Sequence, residues 1–256
     1  MSFVDAHCHL HMDDYEDDRQ EVIQKAKDQG IIWMVTVGID LADSKKALTL
    51  ARDDPSILCT VGIHPHAAGK VGERDFQMLE DLTREGEVVA VGETGLDYYR
   101  DLSPRDVQRE VFLRQMGVAK AVGKPLVIHC RDAYEDLIRL MRRHEAREIG
   151  GVIHCFSGDW PSAKAFLDIG FFLSFAGPLT YPQARRLREI FQRVPEEMIL
   201  METDAPFLAP QPLRGKRNEP AFVVHTYREG ARLKGLELKE WGPLVTENFR
   251  KAFRLS

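Results

Sequence analysis

Short runs of apolar and β-branched residues recur along the chain, separated by longer stretches in which apolar positions return every three or four residues. The runs are nearly continuous in hydrophobicity rather than alternating, the pattern of parallel strands covered on both faces. They predict strands near Phe3–His9, Ile31–Val37, Ile57–His64, Val88–Thr94, Pro125–Cys130, Gly151–Phe156, Phe171–Ala176 and Met198–Asp204. The stretches between them predict helices, among them Tyr15–Gln29, Glu73–Glu85, Pro104–Ala121, Ala133–His144 and Pro182–Gln192, with Gly30, Gly123 and Gly170 as stops before the next strand. After the last strand a Pro- and Arg-rich loop, APFLAPQPLRGKRNEP, leads into helical Ala221–Leu233 and Leu238–Phe253. Eight strands alternating with helices predict an α/β fold closed as a (β/α)8 TIM barrel. With no linker or internal repeat, one barrel-sized domain over residues 1–256 is expected.

Charge narrows the partners. A net charge of −5 does not suit a protein that coats nucleic acid or a membrane by bulk electrostatics, so a polyanion would have to be held locally. The N-terminal MSFVDAHCHLHMDD has no basic region followed by an apolar stretch, and no apolar run approaches the ~20 residues of a spanning helix. A cytoplasmic protein without a membrane partner, monomeric or weakly oligomeric, is the expectation. Cys8, Cys59, Cys130 and Cys155 are too few and too scattered for a disulfide scaffold, so reduced thiols are expected.

The chemistry lies at the strand ends. His7 and His9 close the first predicted strand, and Glu93, His129, His154 and Asp204 fall at or beside the ends of the fourth, fifth, sixth and eighth. In a barrel these C-terminal ends meet on one face, where active sites lie, so residues far apart in sequence can share a metal. Alternation turns His7 and His9 toward the axis and sends Cys8, Cys130 and Cys155 outward as buried structural thiols. A lone strand His is more often a hydrogen-bonded core residue than a ligand. Several imidazoles and carboxylates at strand ends are harder to explain by packing, because burying them is costly unless they are paired or metal-bound. This donor set suits Zn²⁺, Mn²⁺, Co²⁺ or Fe²⁺ better than an all-oxygen site. Six ligands exceed one tetrahedral site, so two divalent ions are expected, with Mg, Mn, Zn, Co and Ni left open and Glu93 able to bridge them.

The ordered motifs VDAHCHL (4–10), VGIHPH (61–66), VGETGLDYY (91–99), PLVIHCRDA (125–133), GVIHCFSG (151–158), METDAPFLAP (201–210), LRGKRNEP (213–220) and ENFRKAF (247–253) run from one end of the chain to the other. In them the chain resembles the TatD family of metal-dependent deoxyribonucleases, a branch of the amidohydrolase-like barrels. The resemblance implies that His7, His9, Glu93 and Asp204 bind one ion, and Glu93, His129 and His154 the other. It also makes Asp204 the group that orients and deprotonates a metal-activated water, with Glu93 as its catalytic partner.

Around this set, Asp5 and Glu202 share strand parity with the ligands and face inward, either as acceptors for ligand imidazoles or as structural ion pairs or caps. His64 and His66 follow the third strand, where substrate phosphate, a third metal or a plain rim position are open for them. His11 and His144 are expected at the surface, and His225 within a helix. Arg214, Lys216, Arg217 and Asn218 precede Pro220 where barrels often bind phosphate, and Arg131 is a weaker candidate for the same task; a solvated charge run is the bland alternative. Tyr98, Tyr99, Phe156, Trp160 and Phe207 fall near the active face, where rings can stack on single-stranded bases or pack in the core. The expected activity is exonucleolytic phosphodiester hydrolysis on DNA or another phosphodiester. Hydrolysis of a C–N, ester or acyl bond by the same centre is the rival, and a catalytically silent barrel a third possibility.

Overall fold

The apolar runs become eight parallel strands in a computed structural model that describes residues 2–255. They are β1 (Phe3–Cys8), β2 (Ile31–Val37), β3 (Ile57–Val61), β4 (Val88–Asp97), β5 (Leu126–Arg131), β6 (Gly151–Ile153), β7 (Phe172–Phe175) and β8 (Ile199–Met201). They pair in chain order. The ring closes at its C-terminal end, where Cys8 bridges Ala205, Asp204 N–H donates to the His7 carbonyl at 2.9 Å and His9 N–H donates to the Ala205 carbonyl at 2.7 Å. The helices are α1 (Arg19–Asp28), α2 (Leu41–Asp53), α3 (Glu73–Thr83), α4 (Arg105–Val122), α5 (Tyr134–Arg143), α6 (Trp160–Ile169), α7 (Arg185–Arg193), α8 (Val223–Lys234) and α9 (Leu238–Phe253). This is the (β/α)8 TIM barrel that the alternation predicts. Among the described residues no helix is long and apolar enough to cross a membrane.

Burial explains why the strands read as continuous apolar runs. Every residue of β1 and of β4 is buried, one side facing the barrel axis and the other the helices. The large aromatics fill the layer between sheet and helices: Trp33 stacks on Phe249 of α9, and Phe191 of α7 meets Trp241 of the same α9 edge-on. Helix α9 packs against β1 and β8, so the last helix covers the seam where the barrel closes.

Several boundaries differ from the sequence expectation, and those near the barrel mouth do so for local reasons. The first helix starts at Arg19 rather than Tyr15, because Tyr15 is buried in a 3-10 turn and its hydroxyl donates to the Asn218 carbonyl at 2.6 Å. Strands β6 and β8 stop after three residues. Beyond them Cys155 and Asp204 take left-handed φ values of 43° and 55°, which breaks the ladder geometry. Strand β4 instead continues to Asp97. Its extension depends on Gly95, whose φ of 136° and missing Cβ let it lie against the His129 backbone of β5, where any side chain would collide with the carbonyl.

Candidate metal centre

The side chains that converge in the barrel mouth come from six strands or the residues just beyond them, β1, β3, β4, β5, β6 and β8. Glu93, inward on β4, is the hub. One of its oxygens, Oε1, lies 2.9 Å from His154 Nε2, 3.0 Å from His129 Nδ1 and 3.4 Å from His64 Nε2. The other, Oε2, lies 3.6 Å from His7 Nε2 and 3.9 Å from His9 Nε2. Asp204 closes the second group, with Oδ1 at 3.7 Å from His7 Nε2 and 3.5 Å from His9 Nε2. The His7 and His9 Nε2 atoms are themselves 3.3 Å apart, and His129 Nδ1 is 3.2 Å from His154 Nε2. The six residues singled out at the strand ends are therefore brought together as two groups that share one carboxylate.

Most of these rings are oriented from behind. His9 Nδ1 points at the Val37 carbonyl at 2.8 Å, which leaves Nε2 for the centre. His129 is held the other way round: its Nε2 points at Asp97 Oδ2 at 3.1 Å and its Nδ1 faces Glu93. His154 Nδ1 lies 3.4 Å from Glu202 Oε1. His64 differs, because its Nδ1 accepts from the His66 N–H at 3.2 Å, which puts the ring proton on Nε2, toward Glu93. Three combinations of these side chains could hold an ion with all ligand atoms within 4.8 Å of one another: His7–His9–Asp204, His7–His154–Glu202 and His64–Glu93–His129.

The electrostatics follow from crowding. Burial would raise the Glu93 pKa, but the His154 and His64 rings and the bonds to His129 and His154 outweigh it and hold the carboxyl well below its usual range. Burial likewise works against a charged His154, yet Glu93 and Glu202 push its pKa well above that of a free imidazole. His64 is driven to about 4, mainly by burial and then by the neighbouring His129 and His66, against the pull of Glu93. Among the described residues, His7 Nδ1, His154 Nδ1 and Glu202 Oε2 are buried with no hydrogen-bond partner.

Asp5 and Glu202 both face the interior, with different tasks. Glu202 accepts from the Cys155 N–H at 2.7 Å beside His154. Asp5 touches no ring. It accepts from the Thr203 hydroxyl at 2.5 Å and the Thr203 N–H at 2.8 Å, so it holds the backbone just before Asp204, and burial pushes its own carboxyl up to about 8.

Asp97 escaped the sequence reading. Its Oδ2 binds His129 Nε2 and, at 2.8 Å, His66 Nε2, while Oδ1 accepts from the Tyr99 and Arg100 N–H groups. The signal was parity: Glu93, Gly95 and Asp97 lie on one side of β4, a side that counts only if the strand continues past Thr94.

The remaining candidates scatter. His11, expected at the surface, is buried between Thr36 Oγ1 at 2.7 Å and Asp43 Oδ2 at 2.9 Å, because the chain leaving β1 turns inward over the end of β2. His144 is exposed, and His225 is half-buried on α8. Arg217 donates to both Asp18 oxygens, at 2.9 and 2.5 Å, and to the Asp14 carbonyl. Asn218 is buried and binds the Thr203 and Phe207 carbonyls. Arg214 and Lys216 are exposed, the former over the Tyr181 ring. Arg131 lies over Tyr99, its guanidinium carbon 3.8 Å from the ring centre. Phe156 is core, and Trp160 is half-buried beneath Arg193. The cysteines are all free thiols. Cys155 departs from the outward, buried placement given by alternation: its backbone is left-handed and the residue is partly exposed, while its thiol is enclosed, and that enclosure together with the Asp204 and Glu202 carboxylates pushes the thiol well up.

The model of the family described as TatD related DNase matches residues 4–254. An uncharacterized metal-dependent hydrolase of Bacillus subtilis strain 168, YabD, is 38% identical over 252 residues, covering 98% of this chain and 99% of its own. A protein of Edwardsiella piscicida named 3'-5' ssDNA/RNA exonuclease TatD is 37% identical over 251 residues, covering 94% and 95%. Among solved structures, the TatD homologue YjjV of Escherichia coli K12 superposes with a TM-score of 0.93 at 26% identity, covering 99% of this chain and 98% of the other.

Proposed function

Because this chain belongs to the TatD related DNase family and is a metal-dependent hydrolase, we propose that it hydrolyses phosphodiester bonds of DNA from a strand end, at a centre of two divalent ions. The observation that carries this reading is the division of Glu93, whose two oxygens face two different imidazole groups, as a carboxylate bridging two cations would. The donors fit such a group. Pairs of ring nitrogens, His7 Nε2 with His9 Nε2 at 3.3 Å and His129 Nδ1 with His154 Nε2 at 3.2 Å, face each other beside carboxylate oxygens, where a cation would satisfy both members of each pair.

His7, His9, Asp204 and Glu93 Oε2 would hold one ion; His129, His154 and Glu93 Oε1 the other. Ions bound there would supply Lewis-acid activation of water and of the phosphoryl oxygens. The chain's own groups do the rest. Asp204 orients the attacking water and accepts its proton, being held ionised by His9 and His7 against the effect of burial. His64, neutral and with its one ring proton on Nε2 beside Glu93, would turn that N–H to a phosphate oxygen entering the centre. Arg131 and Arg214, both exposed, supply positive charge at the rim. A centre this buried admits a strand end more readily than an intact duplex, and the name of the Edwardsiella relative agrees with an exonuclease. One observation favours the rival C–N, ester or acyl hydrolase: Arg217 of the expected phosphate loop is already engaged by Asp18.

The test is to strip the protein, restore Mg²⁺, Mn²⁺, Co²⁺ or Zn²⁺ separately, and follow end-labelled single- and double-stranded DNA beside a Glu93→Ala control. Metal-dependent shortening from one end that the control lacks supports the reading. An inert protein with ions demonstrably bound points to another hydrolysable bond.

A further inference from the structure

Large apolar side chains exposed to solvent are few among the described residues, and they are not evenly spread. Ile32 and Met78 lie apart, at the start of β2 and on α3, whereas Tyr99 (61% exposed), Leu102 (63%) and Phe207 (51%) lie in the segments that leave the C-terminal ends of β4 and β8. In a ring of eight strands paired in order, β4 and β8 stand opposite each other, so these segments face across the mouth with the metal centre between them.

Both rings are rigidly mounted and tied to the centre. Phe207 N–H donates to the Asp204 carbonyl at 2.8 Å, and its own carbonyl accepts from Asn218 Nδ2 at 2.6 Å. Its ring centre stands 6.1 Å from that of His9 at a steep 68°, and the residue keeps about half of its surface exposed beside the centre. Tyr99 N–H donates to Asp97 Oδ1 at 3.0 Å, and the other oxygen of that carboxylate holds His129. Arg131 covers one face of the Tyr99 ring, so that a flat π-surface and a flat cation present together. An aromatic ring held out in water by backbone hydrogen bonds beside the mouth of a site has π-surface available to a flat ligand.

We propose that Phe207 and the Tyr99–Arg131 stack are two base-stacking platforms on opposite sides of the metal centre, each taking one unpaired base flanking the scissile phosphate, and that they select single-stranded ends. The proposal rests on the phosphodiester reading above. Every base offers a π-face, so such platforms are tolerant of sequence. Bases inside a duplex are already stacked and cannot turn onto either ring, so the platforms discriminate by strandedness.

The experiment uses the metal-loaded protein and single-stranded oligonucleotides with either normal bases or base-free tetrahydrofuran residues at the two positions flanking the cleaved bond. Phe207→Ala and Tyr99→Ala are each expected to raise KM about tenfold on the normal oligonucleotide with little change in kcat. That loss should shrink toward onefold on the base-free one, and Phe207→Trp should retain wild-type KM. Met78→Ala, an exposed site elsewhere, controls for generic surface effects, and thermal melting confirms that each variant folds. Unchanged KM in the alanine variants, or an equal loss on both oligonucleotides, overturns the platforms while leaving the nuclease reading intact. If the wild type with ions bound cleaves no oligonucleotide, the phosphodiester reading fails and the platforms fall with it.

Discussion

Two parts of the active face, both singled out from the sequence, behave differently in the structure. The strand-end residues His7, His9, Glu93, His129, His154 and Asp204 point into one small volume and share Glu93. The basic segment 213–220 beyond β8 disperses: Arg217 turns away to Asp18, Asn218 turns inward to brace the Asp204 loop, and Arg214 and Lys216 remain outward. A strand fixes side-chain direction by its period of two, and barrel closure then fixes which ends meet. A loop leaves direction to whichever partner the fold supplies. For Arg217 that partner is an aspartate in the turn before α1, nearly two hundred residues earlier.

The contrast can be broken at its strongest point first. Glu93→Ala should lower kcat/KM by about a thousandfold or more, equivalent to roughly 4 kcal/mol of transition-state stabilisation, and reduce bound metal per chain as counted by mass spectrometry. A variant that keeps its bound metal and full turnover would remove Glu93 from the hub. Next in size, Asp97→Asn should weaken metal affinity about 10- to 100-fold in a chelator competition, since it disturbs the acceptor that orients His129. Unchanged affinity would mean that β5 alone orients the ring.

Proton linkage sharpens the same comparison. For His154, burial opposes charge but Glu93 overcomes it, and its pKa is raised well above the ordinary 6.5. In the metal-free chain its contribution to stability is therefore fully present below pH 6.5 and is lost as pH rises through the raised value. Glu93, held below the ordinary 4.5, contributes above that pH, and its contribution is lost as pH falls through the depressed value. A cation must displace the imidazole protons, so binding strengthens as pH rises and releases protons. Melting curves in chelator should thus lose stability toward alkaline pH while metal-loaded samples gain it. Parallel slopes would show that the imidazoles do not exchange protons for metal.

The smallest effects separate the two arginines. Arg217→Ala should lower Tm slightly and leave KM within about twofold, because the residue is engaged by a carboxylate. Arg214→Ala should leave Tm unchanged and raise KM by about two- to fivefold, as loss of one rim cation would. The opposite pattern would restore Arg217 as the phosphate contact.

Where the sequence fell short, the misses share a cause. Asp97 lay hidden because an apolar run does not show that Gly95 lets β4 continue beyond Thr94 against β5. His11, two residues beyond the predicted first strand, is expected at the surface, because nothing local reveals Thr36 and Asp43 waiting at neighbouring elements. Cys155 follows strict alternation on paper, but β6 ends at Ile153 and a left-handed φ reverses the expectation. Asp5 was recognised as inward, yet only the structure shows that its carboxyl holds Thr203 rather than a ring.

The sequence by itself determined the barrel and the positions of its ligand-type residues, because strand and helix periods are local properties and a closed parallel sheet brings all C-terminal strand ends to one face. Tertiary structure alone decided how Glu93 divides its two oxygens, which atom of each imidazole faces inward, and which arginine is free. Those outcomes depend on hydrogen bonds between residues distant in the chain, such as Asp97 with His66 and Asp18 with Arg217, and a local pattern holds no record of them.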